Sequence, residues 1–74
     1  MSDDMVNHPP HYASTRIECI DAIEAMIEGW PGEHGYLAGN ILKYIWRHRQ
    51  KTPVESLKKA RWYLDRLITK TEQA

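Results

Sequence analysis

A chain of 74 residues makes one domain, and its ten basic and ten acidic side chains cancel. That balance argues against nucleic acid or a membrane surface as a partner held by bulk charge. A domain this small buries only about 60% of its unfolded surface, and its one cysteine, Cys19, can build neither a disulfide nor a zinc framework. Three Trp and four Tyr in so short a chain make a homo-oligomer the expected source of further burial. The lone thiol fits a reducing cytoplasm. The polar, acidic start carries no signal-peptide pattern and no apolar run approaches a membrane span, so the expected location is cytoplasmic.

Residues 1–6 are polar and without periodicity and read as a disordered start. Asn7-His8-Pro9-Pro10-His11-Tyr12 is a stiff extended arm, because the two prolines fix φ and push the residues before them out of the helical region. In polyproline II geometry His8 and His11 fall on one side, roughly 9 Å apart along the axis. That spacing suits two ligands of one metal poorly, and no second His or Cys pair supplies the remainder. No metal or cofactor is expected. The arm either presents two imidazoles and the Tyr12 phenol to a ligand or a neighbouring subunit, or packs Tyr12 inward and leaves both histidines wet.

The first predicted helix covers 16–28, with Ser14 or Thr15 as cap and Gly29 as terminator. Cys19, Ile20, Ile23, Met26 and Ile27 form its apolar face, while Glu18, Asp21, Glu24 and Glu28 lie opposite. Such acids could hold Mg²⁺ only with a second acidic pair on another helix, which the sequence lacks, so a solvated face is the better reading. Trp30 to Gly35 is a Gly- and Pro-containing connection.

The second predicted helix, 36–51, organises the rest. Its apolar arc of Leu37, Ala38, Ile41, Leu42, Tyr44, Ile45 and Trp46 is wider than one neighbour can cover. Asn40, Lys43, Arg47 and Lys51 follow at steps of three, four and four, one narrow stripe at roughly 100° per residue. An amide followed by cations suits an anion with several oxygens; a solvated basic face is the alternative. Thr52-Pro53-Val54-Glu55 then opens a third helix, 53–69, with Thr52 as cap, Pro53 at the first position and Glu55 closing a capping box. Leu57, Ala60, Leu64, Leu67 and Ile68 are expected to face inward, Trp62 stands among polar neighbours, and 70–74 is expected to fray. No segment alternates with period two. The expected fold is an all-α, three-helix protomer, a single domain over 7–69 preceded by the extended arm and completed by oligomerisation through the central helix and Trp46 or Trp62.

Four ordered blocks carry a family resemblance: Asn7 to Tyr12, Ile17 to Ile23, Gly39 to Arg47, and Lys59 to Leu64. Over about residues 7 to 68 the chain resembles a family of small bacteriophage and prophage proteins, catalogued as a domain of unknown function. Its members are often labelled nucleotide kinase, because the domain also occurs in an unconventional nucleotide kinase of T7-like phages. The resemblance implies a helical, oligomerising phage protein with a nucleotide ligand, acting in the cytoplasm of the infected host. It implies ligand-facing roles for His8, His11, Tyr12, Asn40, Lys43, Arg47 and Trp62. No G-x-x-x-x-G-K-[ST] loop and no Asp/Asn pair for Mg²⁺ beside the stripe accompany it. Three readings stay open: capture of a nucleotide, including a host immune signal, without altering it; phosphoryl transfer or hydrolysis at a site between subunits, with His8 or His11 as acid, base or phosphate partner, His11 first; and a module whose stripe meets acidic side chains of a host protein.

Overall fold

A computed structural model of the chain describes residues 17–73. These residues form three α-helices and no strand: α1 (Cys19–Ile27), α2 (Gly32–Arg47) and α3 (Pro53–Gln73). The all-α, three-helix expectation is met. The arm with His8, His11 and Tyr12 lies outside the described residues.

α1 is shorter than expected and starts on a different cap. Glu18 takes extended backbone at φ −78°, ψ 152°, and its N–H donates to the Asp21 carboxylate at 3.3 Å. Two of the acids on the predicted solvated face therefore close the N-terminus of their own helix. Gly29 ends α1 at φ 80°, a left-handed conformation that costs glycine nothing, and Trp30 N–H then bonds the Ile27 carbonyl at 2.9 Å.

α2 begins four residues before its expected start. The 30–35 connection is not a loop throughout: Gly35 N–H reaches the Pro31 carbonyl at 2.9 Å, and Glu33 places a carboxylate in the first turn, where the helix dipole favours it. The far end comes early, at Arg47. His48 sends both its backbone N–H (3.3 Å) and its Nδ1 (2.7 Å) to the Ile45 carbonyl, which occupies the oxygen that the next turn would need. Lys51 is thus off the helix, and the basic stripe is one residue shorter than its spacing implied.

α3 starts at Pro53 as expected, with Ser56 N–H on the Thr52 carbonyl at 2.8 Å. The Thr52 hydroxyl lies 3.5 Å from Ser56 Oγ instead of closing a box with Glu55. The helix continues to Gln73, a turn past the predicted stop at Thr69. Thr69 and Thr71 hydroxyls bond the carbonyls four residues back, at 3.2 and 2.8 Å.

Packing follows from small residues. A Cβ on Gly35 would stand 3.3 Å from Ile27 Cδ1, and one on Gly39 only 3.2 Å from Ile23 Cγ2. The two glycines sit one turn apart and let α1 lie against the α2 backbone. α3 runs antiparallel to α2: Glu33 faces Lys70 near one end and Tyr44 faces Lys59 near the other. Buried between them are Leu37, Ala38, Ser56 and Ala60, and no large side chain is fully buried among the described residues. The body measures 43 × 31 × 16 Å, with a radius of gyration of 14.7 Å against roughly 10–11 Å for a compact chain of this length. Its smallest dimension is little more than one helix with side chains, about 10–12 Å. The described residues make one layer of helices. The inward face predicted for α3 is only partly inward: Ala60 is buried, but Leu57, Leu64 and Ile68 are more than 40% exposed.

Candidate functional site

Two cations of the basic stripe gather round one ring. Lys43 Nζ stands 4.9 Å from the Tyr44 ring centroid and the Arg47 guanidinium carbon 5.0 Å. Lys59, from α3, approaches the same ring at 5.7 Å. All three distances are within the range where a cation is drawn to an aromatic face. The antiparallel pairing of α2 and α3 brings the third cation in, since it sets Lys59 level with Tyr44. Behind the cations, Tyr44 stacks on Tyr63 with centroids 5.8 Å apart and planes 19° apart. Among the described residues the ion pair is Lys70 with Glu33, at 3.4 Å, and Lys43, Arg47 and Lys59 have no carboxylate partner. Their charges are held by a ring whose attraction is worth about 0.5–1 kcal/mol each at exposed positions, an arrangement that an anion would strengthen.

Tyr63 joins this cluster to a groove. Its ring meets Tyr36 edge-on at 6.3 Å and Trp62 at 5.0 Å. Tyr36, Leu37, Trp62 and Tyr63 line an open groove of about 330 Å³ together with Glu33, Arg66 and Lys70. Groove and cluster together carry five cations, Lys43, Arg47, Lys59, Arg66 and Lys70, against the one carboxylate of Glu33. Desolvation pushes the Tyr63 phenol above its ordinary 10.0, and the Tyr36 and Tyr44 phenols add to the rise, so the Tyr63 ring stays neutral at physiological pH.

Of the expected site residues, Lys43, Arg47 and Trp62 belong to this one region. Asn40 is on the same helix face, but its amide already donates to the Tyr36 carbonyl at 2.9 Å. It fixes the rim beneath Tyr36 and keeps its carbonyl oxygen and second N–H available. Spacing alone missed Tyr36, Tyr44, Lys59, Tyr63, Arg66 and Lys70. Tyr44 reads as part of the apolar arc when α2 is taken alone. A signal was present in α3, where Lys59, Tyr63, Arg66 and Lys70 follow at steps of four, three and four, the same narrow face as on α2.

Cys19 lies level with Lys43 across the α1–α2 contact. Desolvation raises its thiol above the ordinary 9.0, and the Lys43 charge opposes the rise. It stays a protonated thiol, which is a poor nucleophile. Among the described residues no three His, Cys, Asp or Glu side chains converge as metal ligands would, and no helix is long and apolar enough to cross a membrane.

No curated protein and no solved structure matches the chain. A family model does: that of DUF3310, a protein family of unknown function, matches residues 6–65. The chain belongs to the DUF3310 family.

Proposed function

We propose that this chain is a phage-derived nucleotide-binding protein that captures its ligand without altering it. The observation that carries the reading is the convergence of Lys43, Arg47 and Lys59 on Tyr44, with a second ring stacked behind and an aromatic groove alongside. Phosphate oxygens need charge-assisted donors, and a guanidinium can grip two of them at once while each ammonium acts as a point charge. A base needs a flat apolar surface, and stacking on an aromatic side chain is worth about 1–3 kcal/mol. Trp62 and Tyr36 offer that surface, and Arg66 and Lys70 edge it. From Tyr36 to Tyr44 the helix rises about 12 Å, so base and phosphate subsites are separate and one extended ligand joins them.

The resemblance to phage and prophage proteins supports the phage origin and a place of action in the infected host's cytoplasm, with a host immune nucleotide among the candidate ligands. The same resemblance contains the competing activity, phosphoryl transfer at a site shared between subunits with His11 as acid or base. Capture is the better reading because the groups brought together are recognition groups, cations and neutral rings, while the one cysteine is held as a thiol.

The full chain incubated with a panel of nucleotides, washed and then heated to release small molecules tests both. Capture predicts that one nucleotide class is retained and recovered unchanged. New products from that nucleotide mean phosphoryl transfer or hydrolysis, and retention of none overturns nucleotide binding.

A further inference from the structure

The surface opposite the groove has a different pattern, and it does not depend on any ligand. On α3, Val54, Arg61 and Ile68 recur every seven residues, and Leu57, Leu64 and Thr71 recur every seven between them. These are the a and d positions of a coiled-coil seam. On a 21-residue helix such a seam would ordinarily be hidden. Here Val54 is 65% exposed, and Leu57, Leu64 and Ile68 are between 43% and 46% exposed. Helical rotation puts this stripe on the broad face of the layer away from Trp62 and Arg66, and Ile45 of α2, also 45% exposed, falls on the same side.

We propose that this face is the docking surface for a second copy of the chain, with the two α3 helices packed antiparallel. Stable domains are built from at least two packed layers, and the described residues make one, 16 Å through. Two adjacent helices of about 10 Å diameter and 30 Å length present roughly 600 Å² of face, the lower end of what each partner gives to a stable interface. A second copy supplies Val, Leu and Ile that match this face in chemistry.

Charge decides the direction. A parallel pair would stack Arg61 on Arg61, two like charges in the middle of an apolar seam. It would also set Lys58 and Asp65 opposite Pro53 and Ala60, which carry no charge. An antiparallel pair sets Arg61 of one copy across Leu64 and Asp65 of the other, and brings Lys58 and Asp65 together twice by symmetry. Neither Arg61, Lys58 nor Asp65 has an ion-pair partner within the described residues. The grooves of both copies then face outward, so association leaves them open. Trp62 lies on the groove side and is not in this interface, which moves self-association away from the position expected for it.

Sedimentation of the full chain without nucleotide is the test. The wild type is expected to run as a dimer or a multiple of it, and Leu57→Lys with Leu64→Lys as the 8.7 kDa protomer, with helical circular dichroism retained because both positions are exposed within one chain. Lys58→Asp alone should weaken association at least tenfold, and adding Asp65→Lys should restore it. That rescue reads direction even if the lysine variant unfolds, since a parallel pair gives those charges no partner. An 8.7 kDa wild type, or an oligomer indifferent to both seam lysines and charge reversal, overturns the proposal. Association that is lost with the lysines but ignores the charge reversal overturns the antiparallel arrangement.

Discussion

The two broad faces of the α2–α3 layer are built from the same pair of helices, yet they differ in almost every physical respect. One face has rings and cations at alternate turns: Tyr36, Tyr44, Tyr63 and Trp62 interleaved with Lys43, Arg47, Lys59, Arg66 and Lys70. The other shows Ile45, Val54, Leu57, Leu64 and Ile68, with charges confined to Arg61 and the seam's margin. Both leave apolar area in water, and neither is explained by the stability of one protomer. The aliphatic face is satisfied by more aliphatic surface, because dispersion and burial are non-directional. The aromatic face resists that solution. Covering it with a second copy would bring five cations against five cations, so it fits an anion instead.

The sharpest way to break this comparison is to remove the cation with the best geometry. Arg47→Ala should weaken nucleotide binding by about tenfold to a hundredfold, since a charge-assisted hydrogen bond is worth roughly 1.5–3 kcal/mol. Arg47→Lys should recover part of the loss, restoring charge without the fork. Leu64→Lys, which adds a cation to the opposite face, should leave affinity within about twofold even where it abolishes association. Isothermal titration of the three variants checks the ranking. Equal losses from Arg47→Ala and Leu64→Lys would show that the two faces are not separate devices.

What the sequence made legible follows the range of the forces involved. The start of α3 at Pro53 and the stop of α1 at Gly29 are local backbone chemistry, and both were readable. So was the grouping of Lys43 and Arg47, which one helix fixes by itself. The early end of α2 was not, because it depends on a histidine ring turning back to the Ile45 carbonyl instead of continuing the apolar run. The role of Lys59, Tyr63 and Tyr44 was hidden for another reason: it needs the register between α2 and α3, and Gly, Ala and Ser at the contact specify closeness without specifying alignment. The exposed α3 stripe looked like core because its period is that of a core, and among the described residues nothing covers it.

A second prediction concerns the contact that holds α1 to this layer. Gly39→Leu should destabilise the fold by about 1–3 kcal/mol, the usual cost of overpacking. The first added carbon would stand only 3.2 Å from Ile23 Cγ2, and a β-branched side chain has little rotameric freedom to withdraw. Thermal unfolding should shift down by several degrees per kcal/mol. Because neither broad face is touched, nucleotide affinity measured well below the transition should stay close to wild type. A large loss of affinity would mean that α1 positions Lys43 through its neighbour Cys19.

The smallest expected effect separates the same regions by pH. Cys19, in the α1–α2 contact, and Tyr63, in the groove, both have folded-state values raised by desolvation, from 9.0 and 10.0 respectively. A raised acid favours its neutral form on folding, so the contribution is intact below the unfolded value and is lost as pH rises through the folded one. Stability should therefore be flat through neutral pH and begin to decline above about 9, with a second decline above about 10. Cys19→Ala should remove the first part and Tyr63→Phe the second. Only the second should be linked to the ligand: a bound anion beside Tyr63 disfavours the phenolate further, so nucleotide affinity should fall over the tyrosine window and become less pH-dependent in Tyr63→Phe. Thermal melts between pH 7 and 11, with and without the retained nucleotide, would measure both. A ligand-dependent change in the cysteine window instead would place the anion at the Lys43–Cys19 end of the stripe, away from the rings.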